Sequence, residues 1–496
     1  MNNTALLSAT DMSRKMATGE LSSEQILDAV LEQISVCNGY VNAVVTLDES
    51  GARAQARRAD EAYARGQSLG PLHGIPVTIK DSYETAGLLT TAGFPPLKKY
   101  VPDQDATPVA RLKAAGAVIV GKTNLPVLAG DFQTRNPIFG RSNNPWDTAR
   151  TPGGSTGGGA AAVATGMSAL ELGSDLGGSA RLPAHYCGIA SFKPSANRIS
   201  LVGHITGSPV PGIRAGPSNL GFMAMPGVLT RSAADLPAAM NALAGRDARW
   251  ADVPPFPLGG GPNEPMDALK GLRVAWTGGF PGVAVNADTG VAMRSAAQAL
   301  QDAGCVVEEC VPPGLDFAAA REGWGELTGS LMGAGLGLIP RTLFRWHIFM
   351  NGDRSDMKRG VVRGLGQSFS RFNQACRQRD ETVVQIENFL QDWDIWLCPV
   401  ASGPAFTHCK TGKPVVVDGQ RVEYLKAAGG HTALFNFTGN PVLVLPVGFS
   451  GDGLPIGAQL VARRWGDDRL LSLAATFEDA IGTYRLPPML ASNIPI

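Results

Sequence analysis

The sequence predicts an α/β protein, and three observations carry that prediction. A helical stretch is followed at once by an apolar β-rich run in TPVARLKAAGAVIVGKTN, residues 107–124. The same helix-then-strand order returns in VNADTGVAMRSAAQALQDAG followed by CVVEE, residues 285–309. Such alternation implies layered α/β packing. Finally, the chain is 44% apolar and 17% charged, a composition that buries a sizeable core and excludes disorder. At 496 residues, a prior of ~150 residues per domain gives about three units, although large α/β enzymes also fold as one body.

Taken in order, residues 22–38, SSEQILDAVLEQISVCN, read as a helix. Ser22 and Gln25 have capping-box spacing, and Ile26, Leu27, Val30, Leu31 and Ile34 form one apolar stripe. ESGARAQARRADEAYARG is a second helix, rich in Ala and charge. In PLHGIPVTIKDS the run IPVTI is a strand with Lys80 at its C-terminal end, where open α/β sheets meet their ligand crevices. TPVARLKAAG is then read as a Thr-capped helix and AVIVG as a strand. AAAVATGMSALELG gives a small-residue helix followed by a strand. Residues 200–217 and 252–265 are Pro/Gly-rich loops, the second a soft boundary. LRVAW restarts the β pattern, and residues 313–390 are mostly helical. DIWLCPV, NPVLVLPVGF and PIGAQLVARR are strands, and LLSLAATFEDAIG is a closing helix.

Formal net charge is zero, so no nucleic-acid or acidic-membrane partner is indicated. The seven cysteines lack CxxC spacing, which points to free thiols in a reducing compartment. No signal-peptide h-region and no run of about 18 apolar residues is present, so an intracellular, cytoplasmic and soluble protein is expected.

The chemistry concentrates in RTPGGSTGGGAAAVATGMSALELGSDLGGSARLPAHYCG, residues 150–188, where Ser155 and Ser179 each sit among glycines. Gly153 to Gly157 satisfy G-x-S-x-G, but a nucleophile elbow must follow a strand, and NNPWDTARTP is loop sequence. No Gly-Lys-Ser/Thr follows, so there is no P-loop lysine. Ser179 follows Asp175-Leu176-Gly177-Gly178, and two glycines let successive N–H groups point one way, as an oxyanion requires. A serine nucleophile needs a base. His185 lies six residues beyond Ser179 with no evident orienting carboxylate. Lys80 is the other option, because desolvation at a strand end leaves a neutral amine. Each feature alone is equally well a turn or a surface lysine.

Together they form one pattern. GPLHGIPVTIKDS, GKTNLPV, FGRSNNPWDTARTPGGSTGGGAAAVATG and LELGSDLGGSARLPAHYCGIASFKPS, with FTGNPVLVLPVGFSGDGLPIGAQLVARR near the end, resemble the amidase signature family. The resemblance is dense over about residues 70–200, within a signature core of about 70–240, and weakest over 313–390. It implies a single 1–496 domain, an α/β/α body around a large mixed sheet, with 313–390 and the loop at 200–217 shaping the substrate pocket. It also implies that Ser179 is the nucleophile, Ser155 a bridging serine on a cis peptide and Lys80 the neutral base. Backbone N–H groups across Leu176, Gly177, Gly178 and Ser179 would form the oxyanion hole. Thr156 replaces a serine common in the family and keeps its hydroxyl, while Asp175 and Arg181 would organise the serine loop. No metal or other cofactor is implied.

The expected activity is hydrolysis of linear amides through an acyl-enzyme. The GGSTGG form is similar to the branch that cleaves aryl-acylamides and carbamates, so small acylamides and anilides are expected substrates, with carbamates as an extension. The expected partner is a small-molecule amide, with no nucleic acid and no membrane, and a homodimer is compatible with it. Three alternatives stay open: the glutaminase subunit of a tRNA-dependent amidotransferase, a membrane-attached fatty-acid amide hydrolase type, disfavoured for want of an N-terminal apolar span, and a catalytically inactive binding protein of this fold.

Overall fold

The computed structural model describes residues 3–205, 222–258, 264–334, 336–350, 353–482 and 484–491. The expected loop at 200–217 therefore lies largely outside the described residues. The strands are β1 (Val44–Leu47), β2 (Pro76–Lys80), β3 (Val118–Thr123), β4 (Leu170–Asp175), β5 (Ala190–Lys193), β6 (Met225–Thr230), β7 (Arg273–Trp276), β8 (Val306–Glu309), β9 (Ile395–Pro399), β10 (Val442–Phe449) and β11 (Pro455–Val461). They form one eleven-stranded sheet in the order β1-β3-β2-β4-β6-β5-β10-β11-β9-β7-β8. The sheet is mixed: β2 runs parallel to β3 and β4, whereas β4 runs antiparallel to β6.

Strand alternation divides the core between the two faces. Ile119, Leu397, Leu443 and Leu445 enter one cluster with Val77 and Ile79, while Trp396, Cys398, Val442 and Val444 enter another. The principal helices are α1 (Ser23–Val41), α2 (Glu49–Ala64), α3 (Thr107–Ala114), α4 (Gly157–Ala164), α5 (Arg181–Cys187), α6 (Ala287–Asp302), α7 (Phe317–Ala334), α8 (Leu338–Met350), α9 (Asp356–Gly364), α10 (Phe369–Phe389), α11 (Ala433–Thr438) and α12 (Ala474–Ile481). Helices α6 and α12 cover the first face, and α4, α5 and α7 the second. This is the expected α/β/α arrangement. Among the described residues no helix is long and apolar enough to cross a membrane.

The Ser22–Gln25 capping box forms as its spacing predicts. Two expectations are corrected. Helix α3 is not Thr-capped: Ala106 is its N-cap, and the Thr107 hydroxyl instead donates to Asp247 at 2.6 Å. The closing helix is broken at Leu473, where a short helix, Asp467–Ser472, gives way to α12. Within the weakly matching region, α8 buries no side chain and exposes Ile339, Leu343, Trp346 and Met350 by 60–73%.

Candidate active site

Strand β2 is buried throughout and ends in Lys80, so the lysine side chain cannot reach solvent. Its Nζ donates to Ser155 Oγ at 2.7 Å, Thr156 Oγ1 at 3.0 Å and Ser174 Oγ at 2.9 Å. Burial pushes its pKa down to about 7, against the opposing pull of Glu171 and Asp175. Loss of one proton therefore falls near neutrality. It leaves two N–H donors and a lone pair, and the lone pair can accept a proton from a hydroxyl.

Ser155 is presented by a cis Gly154–Ser155 peptide bond. A side chain at Gly154 would run into the backbone at Asp131 and Phe132, which accounts for glycine there. The next residue ties the two serine segments together, since Thr156 N–H donates to the Ser179 carbonyl at 3.0 Å. Thr156 Oγ1 also lies 3.3 Å from the Ser174 carbonyl. Lys80, Ser155 and Thr156 are thus joined through their side chains, and Ser179 is joined to them through its backbone carbonyl.

The loop after β4 is held from its carbonyl side. Leu176 O accepts from Trp324 Nε1 at 2.9 Å, Gly177 O from Thr432 Oγ1 at 2.5 Å, and Gly178 O from Leu182 N–H at 2.7 Å. With the Ser179 carbonyl bound to Thr156, all four oxygens are occupied. The N–H groups of Leu176, Gly177 and Ser179 have no acceptor among the described residues, as an oxyanion site requires. Gly178 departs from the expectation. Its N–H donates to Asp175 Oδ1 at 2.8 Å, so it shapes the turn and is not a free donor. Its φ of +121°, and the Thr432 hydroxyl standing where a Cβ would have to fit, exclude a side chain.

Asp175 and Arg181 act as the loop's frame. Both are fully buried, and Arg181 donates to Asp175 through Nε at 3.1 Å and Nη2 at 2.9 Å. Ala180 N–H adds a bond to Asp175 at 3.1 Å. Burial pushes the Asp175 carboxyl up, but the Arg181 charge and hydrogen bonds outweigh it and hold the pKa well below the usual range. Arg181 is fixed in turn by Gln459 at 2.6 Å and Asn436 at 2.5 Å.

His185 is excluded as the base for Ser179. Its Nδ1 accepts from Gly457 N–H at 2.6 Å and its Nε2 lies 2.9 Å from the Gly403 carbonyl, so backbone occupies both nitrogens. The G-x-S-x-G match has no strand before it, in line with the loop reading. Reading the sequence missed Ser174, Glu171, Trp324, Thr432, Asn436 and Gln459. Ser174 and Glu171 carried a usable signal, as polar residues in a strand otherwise buried on both faces. The other four come from distant segments with no local mark. Among the described residues no group of three His, Cys, Asp or Glu side chains is placed to hold a metal ion.

The chain is 32% identical to a glutamyl-tRNA(Gln) amidotransferase subunit of Moorella thermoacetica, over 98% of each chain. It superposes with TM-score 0.80 and 29% identity on an inhibitor-bound structure described as a vestigial protein complex that reveals the origins of an s-triazine catabolic enzyme, covering 97% of this chain and 100% of that one. The substrate complex of 6-aminohexanoate cyclic dimer hydrolase gives TM-score 0.78 and 26% identity, covering 98% and 99%. These relatives correct the partner expectation. A small-molecule amide, with at most a second copy of the chain, is too narrow, because the Moorella relative is by name one component of a larger enzyme and the first structural neighbour is a protein complex. The sequence motifs record the chemistry around the serines and carry no mark of a protein-binding surface. The Amidase family model matches residues 25–471, and the chain belongs to that family of amide-hydrolysing enzymes.

Proposed function

We propose that this amidohydrolase cleaves linear carboxamides by acyl transfer to Ser179 and then to water. Neutral Lys80 accepts the Ser155 proton while Ser155 accepts that of Ser179, whose oxygen attacks the carbonyl carbon. The oxyanion is received by the N–H groups of Leu176, Gly177 and Ser179. Collapse of the tetrahedral species returns the proton through Ser155 to the departing nitrogen, which would otherwise leave as an amine anion. Water then attacks the ester by the same relay and frees Ser179. The observation that carries the proposal is the 2.7 Å bond between a wholly buried lysine amine and Ser155. Small acylamides and anilides are the substrates proposed, with carbamates as an extension. Hydrolysis of a neutral anilide by the purified chain, lost in Ser179→Ala, tests it; an unimpaired variant would refute it.

A second substrate reading is favoured by the full-length similarity to amidotransferase components. In it the amide is that of glutamine, ammonia is the product, and a protein partner takes the ammonia onward. Comparing ammonia release from glutamine with anilide cleavage separates the two. Turnover of glutamine alone supports the glutaminase reading, and turnover of anilides alone supports the first.

A further inference from the structure

Glu171, on the strand beside that of Lys80, takes no part in the proposed proton relay. In the register of β4 with β2 it stands opposite Thr78, two residues before Lys80 and on the same sheet face. Lys80 itself is opposite Thr123 of β3, and the Thr123 hydroxyl donates to Glu171 Oε1 at 2.6 Å. Glu171 is fully buried, and its Oε2 has no hydrogen-bond partner among the described residues. Helix α4 packs directly on it: a side chain at Gly159 would strike the carboxyl.

The charges around this carboxyl are few. Helix α4 contains only Gly, Ala and Val. From β3 comes Lys122, whose Nζ donates to Tyr83 O and Thr90 Oγ1 at 2.8 Å each and pairs with Asp81 at 3.4 Å. Around Lys80, Asp175 is bound by Arg181. His204, bonded to Ser82 at 2.9 Å, is pushed well down by burial and is neutral. Among the described residues, all three hydrogen-bond partners of Lys80 are hydroxyls. A proton reaching Lys80 thus creates a buried charge with no carboxylate bonded to it among the described residues, and of the two acids whose charge acts on it, Glu171 and Asp175, Glu171 is the one not bound by an arginine.

We propose that Glu171 is the counter-charge of Lys80, a positioning residue that sets the pH at which the amine becomes free to act as base. This rests on Lys80 being the base. Burial pushes the Glu171 carboxyl up and the Lys80 amine down, and each group favours the charged form of the other.

The test is the pH dependence of kcat/KM for full-length Glu171→Gln with a neutral anilide. Gln keeps the size and an oxygen for Thr123. Removing the negative charge lowers the Lys80 pKa, so the acid limb should move to lower pH by about one unit. A limb that stays in place, or moves up, overturns the proposal. Should Glu171→Gln not fold, Thr123→Val provides the same readout, because loss of the donated hydrogen bond makes Glu171 harder to ionise and shifts the limb the same way. Lys80→Met separates the two claims. If it retains the wild-type rate, Lys80 is not the base; if it is inactive while the Glu171→Gln limb is unmoved, Glu171 alone is refuted.

Discussion

At the scale of the residue, function turns on which groups are charged. Lys80 has lost most of its preference for a proton through burial, which brings its pKa down to about 7. On the proposed mechanism the sign follows directly: the amine is protonated, and so unable to act as the base, below that pH and free above it. Activity should therefore rise through neutrality to an alkaline plateau, and a kcat/KM profile from pH 5.5 to 9 checks this. Lys80→Ala and Ser179→Ala should each lower kcat/KM on the order of 10³-fold or more, and the double variant should lose little further, since in the proposed relay the two act as one unit. Gly178→Ala should fail differently, because its Cβ would meet Thr432 at a φ only glycine tolerates. Both thermal stability and activity should fall, read by melting temperature and turnover.

At the scale of the element, the serine loop is a piece of backbone whose carbonyls are pinned by α4's entry, α5, α7 and α11 and whose turn is closed by one buried ion pair. Asp175→Asn leaves Arg181 buried without its counter-ion, and breaking such a pair costs about 3–5 kcal/mol. Urea unfolding measures that loss. The Asp175 pKa is depressed, so its stabilisation is present above the ordinary aspartate range and is lost as pH falls through the depressed value. Local elements were legible beforehand where the signal is local. The Ser22–Gln25 cap, Lys80 at a strand end and the glycine-framed serines are each written in a few adjacent letters. What was illegible is long-range. Asn436 reaches Asp175 across 261 residues, and Trp324 reaches Leu176 across 148. Thr107 misled because a threonine at a helix start can stand at the cap or inside the first turn, and here it is the first helical residue, with its hydroxyl given to a distant aspartate.

At the scale of the whole molecule, one sheet gathers residues from Val44 to Val461, so the segment that carries Ser155 and Ser179 and its supports are held by one sheet with a core cluster on each face. The α/β layering was visible in the helix-then-strand order, whereas the strand order was not, because neighbours such as β5 and β10 are far apart in sequence. The outer surface follows other rules. Ile339, Leu343, Trp346 and Met350 of α8 face solvent, an apolar exposure associated with protein–protein contact. Trp346→Glu should accordingly leave the melting temperature of the isolated chain unchanged, since no buried contact is lost.

The most direct test of the account is to treat the purified protein with a fluorophosphonate and map the modified residue by mass spectrometry. Stoichiometric modification of Ser179, slowed strongly in Lys80→Met and in Ser155→Ala, is the predicted result. An active enzyme whose label falls on another residue, or whose labelling rate ignores Lys80 and Ser155, would contradict it.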